Sequence, residues 1–280
     1  MPLPKTPIAF VISALKSRVT WRIVLLCVLA SCKSFGQQCG GCCLTGCTDP
    51  THFACLPDCT CTLISPIIVD TTGKGFQLTS ADAGVLFDIA GDGHPMQMAW
   101  TATGSGNAFL ALDRNHNGKI DNGKELFGNF TEQPSCPDEG TSCLNGYRAL
   151  AEFDKPENGG NGDGIIDKRD AVFSHLLLWI DENHDGISQP KELHTLPELG
   201  VYSISLRYRD DRHFFDEYSN WFHYQAALNP DPLDGESKDG RWTYDVSFTA
   251  GSQGFDIDEQ SLGLFSGNTY RTWIAASKPR

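Results

Sequence analysis

Apolar and polar positions along this chain alternate in short blocks rather than in long amphipathic stretches. Residues 63–69 (LISPIIV) read as a strand and are followed by DTTGKG; then come GVLFDIAGDGHPMQMAW and NAFLALDRNHNGKIDNGKELFGNF. Each block couples an apolar run to an acidic, glycine-bearing turn, which is the pattern of a degenerate internal repeat. Residues 146–153 (GYRALAEF) are helical in pattern. So are residues 171–180 (AVFSHLLLWI), where Val172, Leu176 and Trp179 share a face at helical spacing and Asp170 favours the helix start. Pro190 suits the first turn of a helix over PKELHTL, with Gly200 as its stop. VYSISLRY, WFHYQAAL and RWTYDVSF read as strands from their β-branched and aromatic content, and NPDPLDGESKDG between the last two is a polar loop. Residues 251–280 carry only a weak pattern.

The polar turns hold the most pointed chemistry. A calcium ion takes six to eight oxygens, and a 12-residue loop supplies them from positions 1, 3, 5, 7 (a carbonyl), 9 and 12, with glycine at 6 for the sharp turn. Residues 181–192 (DENHDGISQPKE) fit every position with Asp181, Asn183, Asp185, Gly186, the Ile187 carbonyl, Gln189 and Glu192. Position 8, usually the apolar residue that pairs with a neighbouring loop, is Ser188, so conventional loop pairing is in question. A second loop offers Asp113, Asn115, Asn117, Gly118, the Lys119 carbonyl and Asp121, with its closing acid, Glu125, one place late; a widened exit accommodates it. A third offers Asn161, Asp163, Gly164, the Ile165 carbonyl, Asp167 and Asp170, and Asp154 supplies position 1 if KPENGG bulges outward. Asp88 and Asp92 keep fragments of such a loop, and DTTGKG keeps only Asp70. Asp, Asn and Gly also build ordinary turns, but three long stretches of correct spacing in one acidic chain outweigh that reading. Magnesium, which dehydrates reluctantly, suits such cages poorly.

Charge supports the cation reading. The 280 residues carry 22 Lys and Arg against 35 Asp and Glu, a net charge of −13. Five of the basic residues and none of the acidic ones fall within residues 1–36, so the remainder is more acidic still. Such a surface repels nucleic acid and attracts divalent cations.

The N-terminus has the build of an export signal: a basic stretch ending at Arg22, the apolar run IVLLCVLA, then small residues. That run is too short for a permanent membrane span. Residues 29–32 (LASC) are similar to a bacterial lipobox, which would make Cys32 a lipid anchor and residues 1–31 the signal peptide; cleavage after Gly36 is the other reading. Seven cysteines crowd into residues 39–61, and Cys136 and Cys143 form a separate pair. In an oxidising compartment such clusters staple segments that lack a core of their own, and zinc-like spacing in CGGCC is the alternative. The site of action is then periplasmic, outer-membrane lipid-anchored or extracellular.

These residues together resemble a calcium-binding module of secreted bacterial proteins, including the self-processing module of RTX-type proteins. The resemblance covers roughly residues 65–208, through FDIAGDG, FLALDRNHNGKIDNGKELFGNFT, NGYRALAEFD, NGDGIIDKRDAVF and LWIDENHDGISQPKELHTLPELGV. Singly, the loops also resemble those of dockerins. The resemblance implies calcium-induced folding and, in self-processing members, cleavage of an Asp-Pro bond through attack of the carboxylate on its own carbonyl. The matching dipeptide here is Ser65-Pro66, and serine cannot form the anhydride. HExxH, GxSxG and phosphate-cradling motifs are missing from the sequence.

The expectation is therefore an α+β protein: a Cys-rich segment (32–62), an EF-hand-like helix–loop–helix calcium module with short antiparallel strands (63–208), a strand extension (209–250) and a tail (251–280). Its expected function is calcium binding by an exported, non-enzymatic bacterial protein with a structural role or a cell-surface or extracellular protein partner. Calcium-triggered self-cleavage and dockerin-like docking are the alternatives.

Overall fold

The computed structural model describes residues 53–55, 61–136 and 143–250. The expected export signal, the lipobox cysteine, most of the clustered cysteines and the tail lie outside them. In chain order the elements are β1 (Phe53–Cys55), β2 (Cys61–Leu63), β3 (Ile67–Asp70), β4 (Val85–Phe87), β5 (Met96–Met98), β6 (Asn107–Leu112), α1 (Gly146–Ala151), β7 (Ile165–Asp167), β8 (Leu176–Trp179), β9 (Leu193–Thr195), β10 (Ser203–Ser205), β11 (Arg209–Phe215), β12 (Trp221–Ala227) and β13 (Trp242–Ser247).

Seven strands form one antiparallel sheet in the order β11-β12-β13-β3-β6-β8-β9. Its two faces are both covered. On one, Ile68, Phe109, Trp179, Phe222, Tyr244 and Val246 pack beneath the β4–β5 hairpin, whose Val85, Phe87 and Met98 are buried with Trp100. The Trp100 ring lies 4.3 Å from Phe109, 5.1 Å from Phe87 and 5.5 Å from Trp179, centroid to centroid. On the other face, Ile67, Val69, Leu110, Leu178 and Ala226 meet Tyr147, Ala149 and Leu150 of α1 and the β7–β10 ribbon through Ile166 and Ile204. Strands buried on both faces read as continuous apolar runs, which is what IIVD, NAFLAL and LLLW are.

This architecture corrects the expected fold class. The structure is β-rich, α1 of six residues is its one α-helix among the described residues, and helix–loop–helix units do not occur among them. Residues 171–180 are a short 3-10 turn, Ala171–Ser174, followed by β8; the PKELHTL segment is a 3-10 turn, Pro190–Glu192, followed by β9. The physical reason is visible in β8. Leu176 and Leu178 enter one core and Leu177 and Trp179 the other, so an apolar run that fits either period is decided by pairing with β6 and β9. The expected helix at 146–153 is α1, capped by Asn145, whose side-chain oxygen accepts the Arg148 N–H at 2.9 Å. The strands read in WFHYQAAL and RWTYDVSF are β12 and β13. The NPDPLDGESKDG segment is a loop as expected, with Asp231-Pro232 in a turn closed by the Gly235 N–H on the Asp231 carbonyl. Cys136 and Cys143 form a disulfide.

One side chain ties the sheet's margin together. Arg241 donates from Nη1 to the Thr71 and Leu199 carbonyls (3.1 and 2.9 Å), and from Nη2 to the Gly200 carbonyl and to Asp239. Removing the guanidinium strands the Thr71 and Leu199 carbonyls, while the Gly200 carbonyl and Asp239 keep the Asn229 amide. Arg241→Ala is expected to cost about 2–3 kcal/mol in urea denaturation, and Arg241→Lys to recover only part of it, because one ammonium cannot reproduce the fork.

Candidate metal-binding loops

Each of the three loops begins with an aspartate whose carboxylate organises the turn. Asp113 directly follows β6, and the chain returns beside the same strand, with the Leu112 N–H on the Glu125 carbonyl and Leu126 bridged to Ala111. The two Asp113 oxygens accept the Asn117 and Gly118 N–H groups at 3.2 and 2.8 Å. Asn115 and Asn117 each accept the N–H two residues on, at 3.0 and 2.9 Å, the second of these from Lys119. Glu125, 3% exposed, closes the ring by accepting from the Arg114 and Asp121 N–H groups at 3.1 and 2.7 Å. The widened exit thus brings the late acid onto the loop. Donation from the Asn115 and Asn117 amides holds the Asp121 carboxyl below the usual range.

The loop at Asp181 follows β8 and returns as β9, with the Ile180 N–H on the Glu192 carbonyl. Asp181, 2% exposed, accepts the Asp185 and Gly186 N–H groups at 3.2 and 2.9 Å and also the Trp100 indole N–H at 2.8 Å. Asp185 accepts the Ile187 N–H at 2.8 Å, Asn183 donates to Asp185 at 2.8 Å, and Gln189 donates to both Asp185 oxygens. Glu192 is fully buried. Its Oε2 accepts the Gln189 N–H at 3.1 Å, but its Oε1 is buried without a hydrogen-bond partner. A buried carboxylate oxygen left without a donor is costly.

The third loop takes Asp154 as its first position. KPENGG bulges outward as a 3-10 turn over Pro156–Asn158, and Asp154 then accepts the Gly162 and Gly164 N–H groups at 3.0 and 2.9 Å. Asn161 and Asp163 accept the N–H groups of Asp163 and Ile165, both at 3.0 Å. Asp170, 3% exposed, accepts from the Asn161 and Asp167 N–H groups at 3.0 and 2.8 Å, and burial raises its carboxyl. Hydrogen bonding to Arg169 holds Asp167 low, and the same guanidinium reaches Asp163 at 2.6 Å.

The shared backbone explains the spacing. Positions 4 and 6 both lie at positive φ: His116 at 59° and Gly118 at 80°, His184 at 58° and Gly186 at 71°, Gly162 at 73° and Gly164 at 83°. The fragments at Asp70 and Asp88 share the turn. Asp88 accepts the Asp92 and Gly93 N–H groups, and Asp70 accepts those of Thr72, Gly73 and Gly75. The loops at Asp70, Asp88, Asp113 and Asp181 are therefore strand–loop units with aspartate at or just past the strand's end, whereas Asp154 closes a 3-10 turn that follows α1; none is a helix pair. The His184 ring nitrogens lie 3.1 and 2.8 Å from the Thr101 and Ala83 carbonyls and tie the loop to the β4–β5 layer. Trp100 was missed because 81 residues separate it from Asp181.

Among the described residues, no group of three or more His, Cys, Asp and Glu side chains is gathered closely enough to hold a metal ion by itself. An ion in these loops would have to draw on amide and backbone oxygens as well. That is the donor set of Asn115, Asn117, Asn161, Asn183, Gln189 and the carbonyls of Lys119, Ile165 and Ile187.

Comparison with known proteins places the chain. It is 43% identical over 147 residues to the iron-regulated protein FrpA of Neisseria meningitidis serogroup C. The aligned part is 52% of this chain and only 12% of that protein. That relative is bacterial, in keeping with the bacterial character expected of the chain. Residues 67–241 match the family model described as the SPM domain. Because that match runs from the first residue of β3 through Arg241, across all three loops and well over half of the 280 residues, the chain belongs to the SPM domain family.

Proposed function

We propose that this chain is an exported bacterial calcium-binding protein, non-enzymatic, in which ions held by the loops at Asp113, Asp154 and Asp181 brace the ends of the sheet strands. The observation that carries this reading is the Asp181 loop, where Glu192 Oε1 is buried without a donor at the closing position that a calcium loop uses as a ligand. Asp181, Asn183, Asp185, the Ile187 carbonyl, Gln189 and Glu192 would hold the ion there, and the bound ion would supply positive charge that offsets repulsion among the carboxylates. The corresponding sets are Asp113, Asn115, Asn117, Lys119, Asp121 and Glu125, and Asp154, Asn161, Asp163, Ile165, Asp167 and Asp170. Affinities are expected in the extracellular range, about 10⁻⁴–10⁻³ M.

Calorimetric titration of the full chain, first stripped with chelator, tests this. Calcium uptake with a rise in melting temperature is expected, and ten times the Kd stabilises by about 1.4 kcal/mol per site. Glu192→Gln keeps the side chain's shape and its bond to the Gln189 N–H but removes the charge, so it should lose one site's heat while leaving the metal-free melting temperature near that of the parent. Absence of both heat and thermal shift at millimolar calcium rejects the reading.

A further inference from the structure

We infer that the Ser188 hydroxyl couples the Asp113 and Asp181 loops, so that an ion held in either one tightens binding in the other. This rests on the calcium reading above and adds to it a coupling that ligand spacing does not supply. Ser188 and Ile120 are both buried, at 4% and 2% exposure. The Ile120 N–H donates to Ser188 Oγ at 2.7 Å, and Ser188 Oγ donates to the Ile120 carbonyl at 3.3 Å. One hydroxyl thus spans both backbone groups of a residue 68 positions away.

The flanking positions give this contact its consequence. Ser188 lies between Ile187 and Gln189, and Ile120 between Lys119 and Asp121, all four of them ligand positions in the proposed sites. Ordering either loop around an ion fixes one partner of the two hydrogen bonds, and so lowers the ordering cost left for the other loop. That is positive coupling, and linkage makes it reciprocal. Serine is suited to the place because its hydroxyl both accepts and donates. The apolar residue usual at position 8 could do neither with its side chain. The Asp154 loop is tied elsewhere, by the Leu206 N–H on the Gly164 carbonyl, and stands outside this coupling.

The test is calcium titration by calorimetry on the full chain carrying Asp154→Asn, which leaves the two loops in question. In that background Asp181→Asn should weaken calcium binding at the Asp113 loop about tenfold, although it removes none of that loop's ligands. With Ser188→Ala also present, Asp181→Asn should leave the Asp113 loop's affinity unchanged. Ser188→Thr, which keeps the hydroxyl, should retain the coupling and so separates its loss from general loosening of the site. Coupling of equal size with and without the Ser188→Ala change overturns the inference and leaves the calcium reading intact. Absence of calcium uptake by the parent chain overturns both.

Discussion

Asp245→Asn is expected to stabilise the protein at neutral pH, by up to about 3 kcal/mol, and to leave its stability near pH 4 almost unchanged. Asp245 is 1% exposed on β13, opposite Ile67 of β3, where it accepts the Gly146 N–H at the start of α1. Burial pushes its carboxyl up to about 6, from 3.8, against the opposing effect of hydrogen bonds from Gly146 and Ser65. The folded state therefore holds this proton more tightly than the unfolded chain does. Between about pH 4 and pH 6 the folded protein keeps the proton while the unfolded chain has lost it, so this group's contribution falls as pH rises and is flat above 6. A shift of roughly two units corresponds to about 3 kcal/mol. The asparagine mimics the neutral carboxyl and removes the penalty. Urea denaturation of both proteins from pH 4 to 8 in chelator isolates the effect as a difference curve. A difference that does not change with pH would show that Asp245 titrates normally.

Asp181→Ala should be the most damaging single change in the loops, even without calcium. Its carboxylate serves the Trp100 indole N–H and the Asp185 and Gly186 N–H groups from a buried position, and alanine leaves all three without an acceptor. At roughly 1–3 kcal/mol for each buried donor stranded, partly relieved by water entering the loop, the loss is about 3–5 kcal/mol. Asp181→Asn keeps one acceptor oxygen and should cost less. Both values are read from urea denaturation in chelator, with Trp100 reporting through near-ultraviolet circular dichroism. A loss under about 1 kcal/mol for the alanine variant in chelator would mean that the carboxylate is not what organises this turn.

The loops were legible in the sequence because their chemistry is local. Alternating oxygens, glycine at position 6 and a closing acid all follow from a chain winding around one point, and the structure brings each of those residues onto its loop, including the late Glu125 and the distant Asp154. What flanks the loops was not legible. The residues of AVFSHLLLWI satisfy a helical period, and nothing within them reveals that β6 and β9 will lie on either side. The loop motif itself suggested helices, because its best-known setting is between them. Left-handed backbone at His116 and His184 was equally hidden, since histidine has no need of it and adopts it only where the turn imposes it. Trp100 and Ser188 act on partners far away in sequence, and such contacts leave no periodic trace.

The strand order carries a consequence for how the chain matures. β3, an early strand in the chain, lies between β6 and β13, the last strand among the described residues. A growing or translocating polypeptide can assemble β3, β6, β8 and β9 early, but one flank of β3 stays open until residue 247 has emerged. Until then that flank offers unpaired backbone along an apolar segment, the kind of template on which chains join one another. Completion of the sheet, and its protection against self-association, thus waits on the arrival of the β12–β13 hairpin.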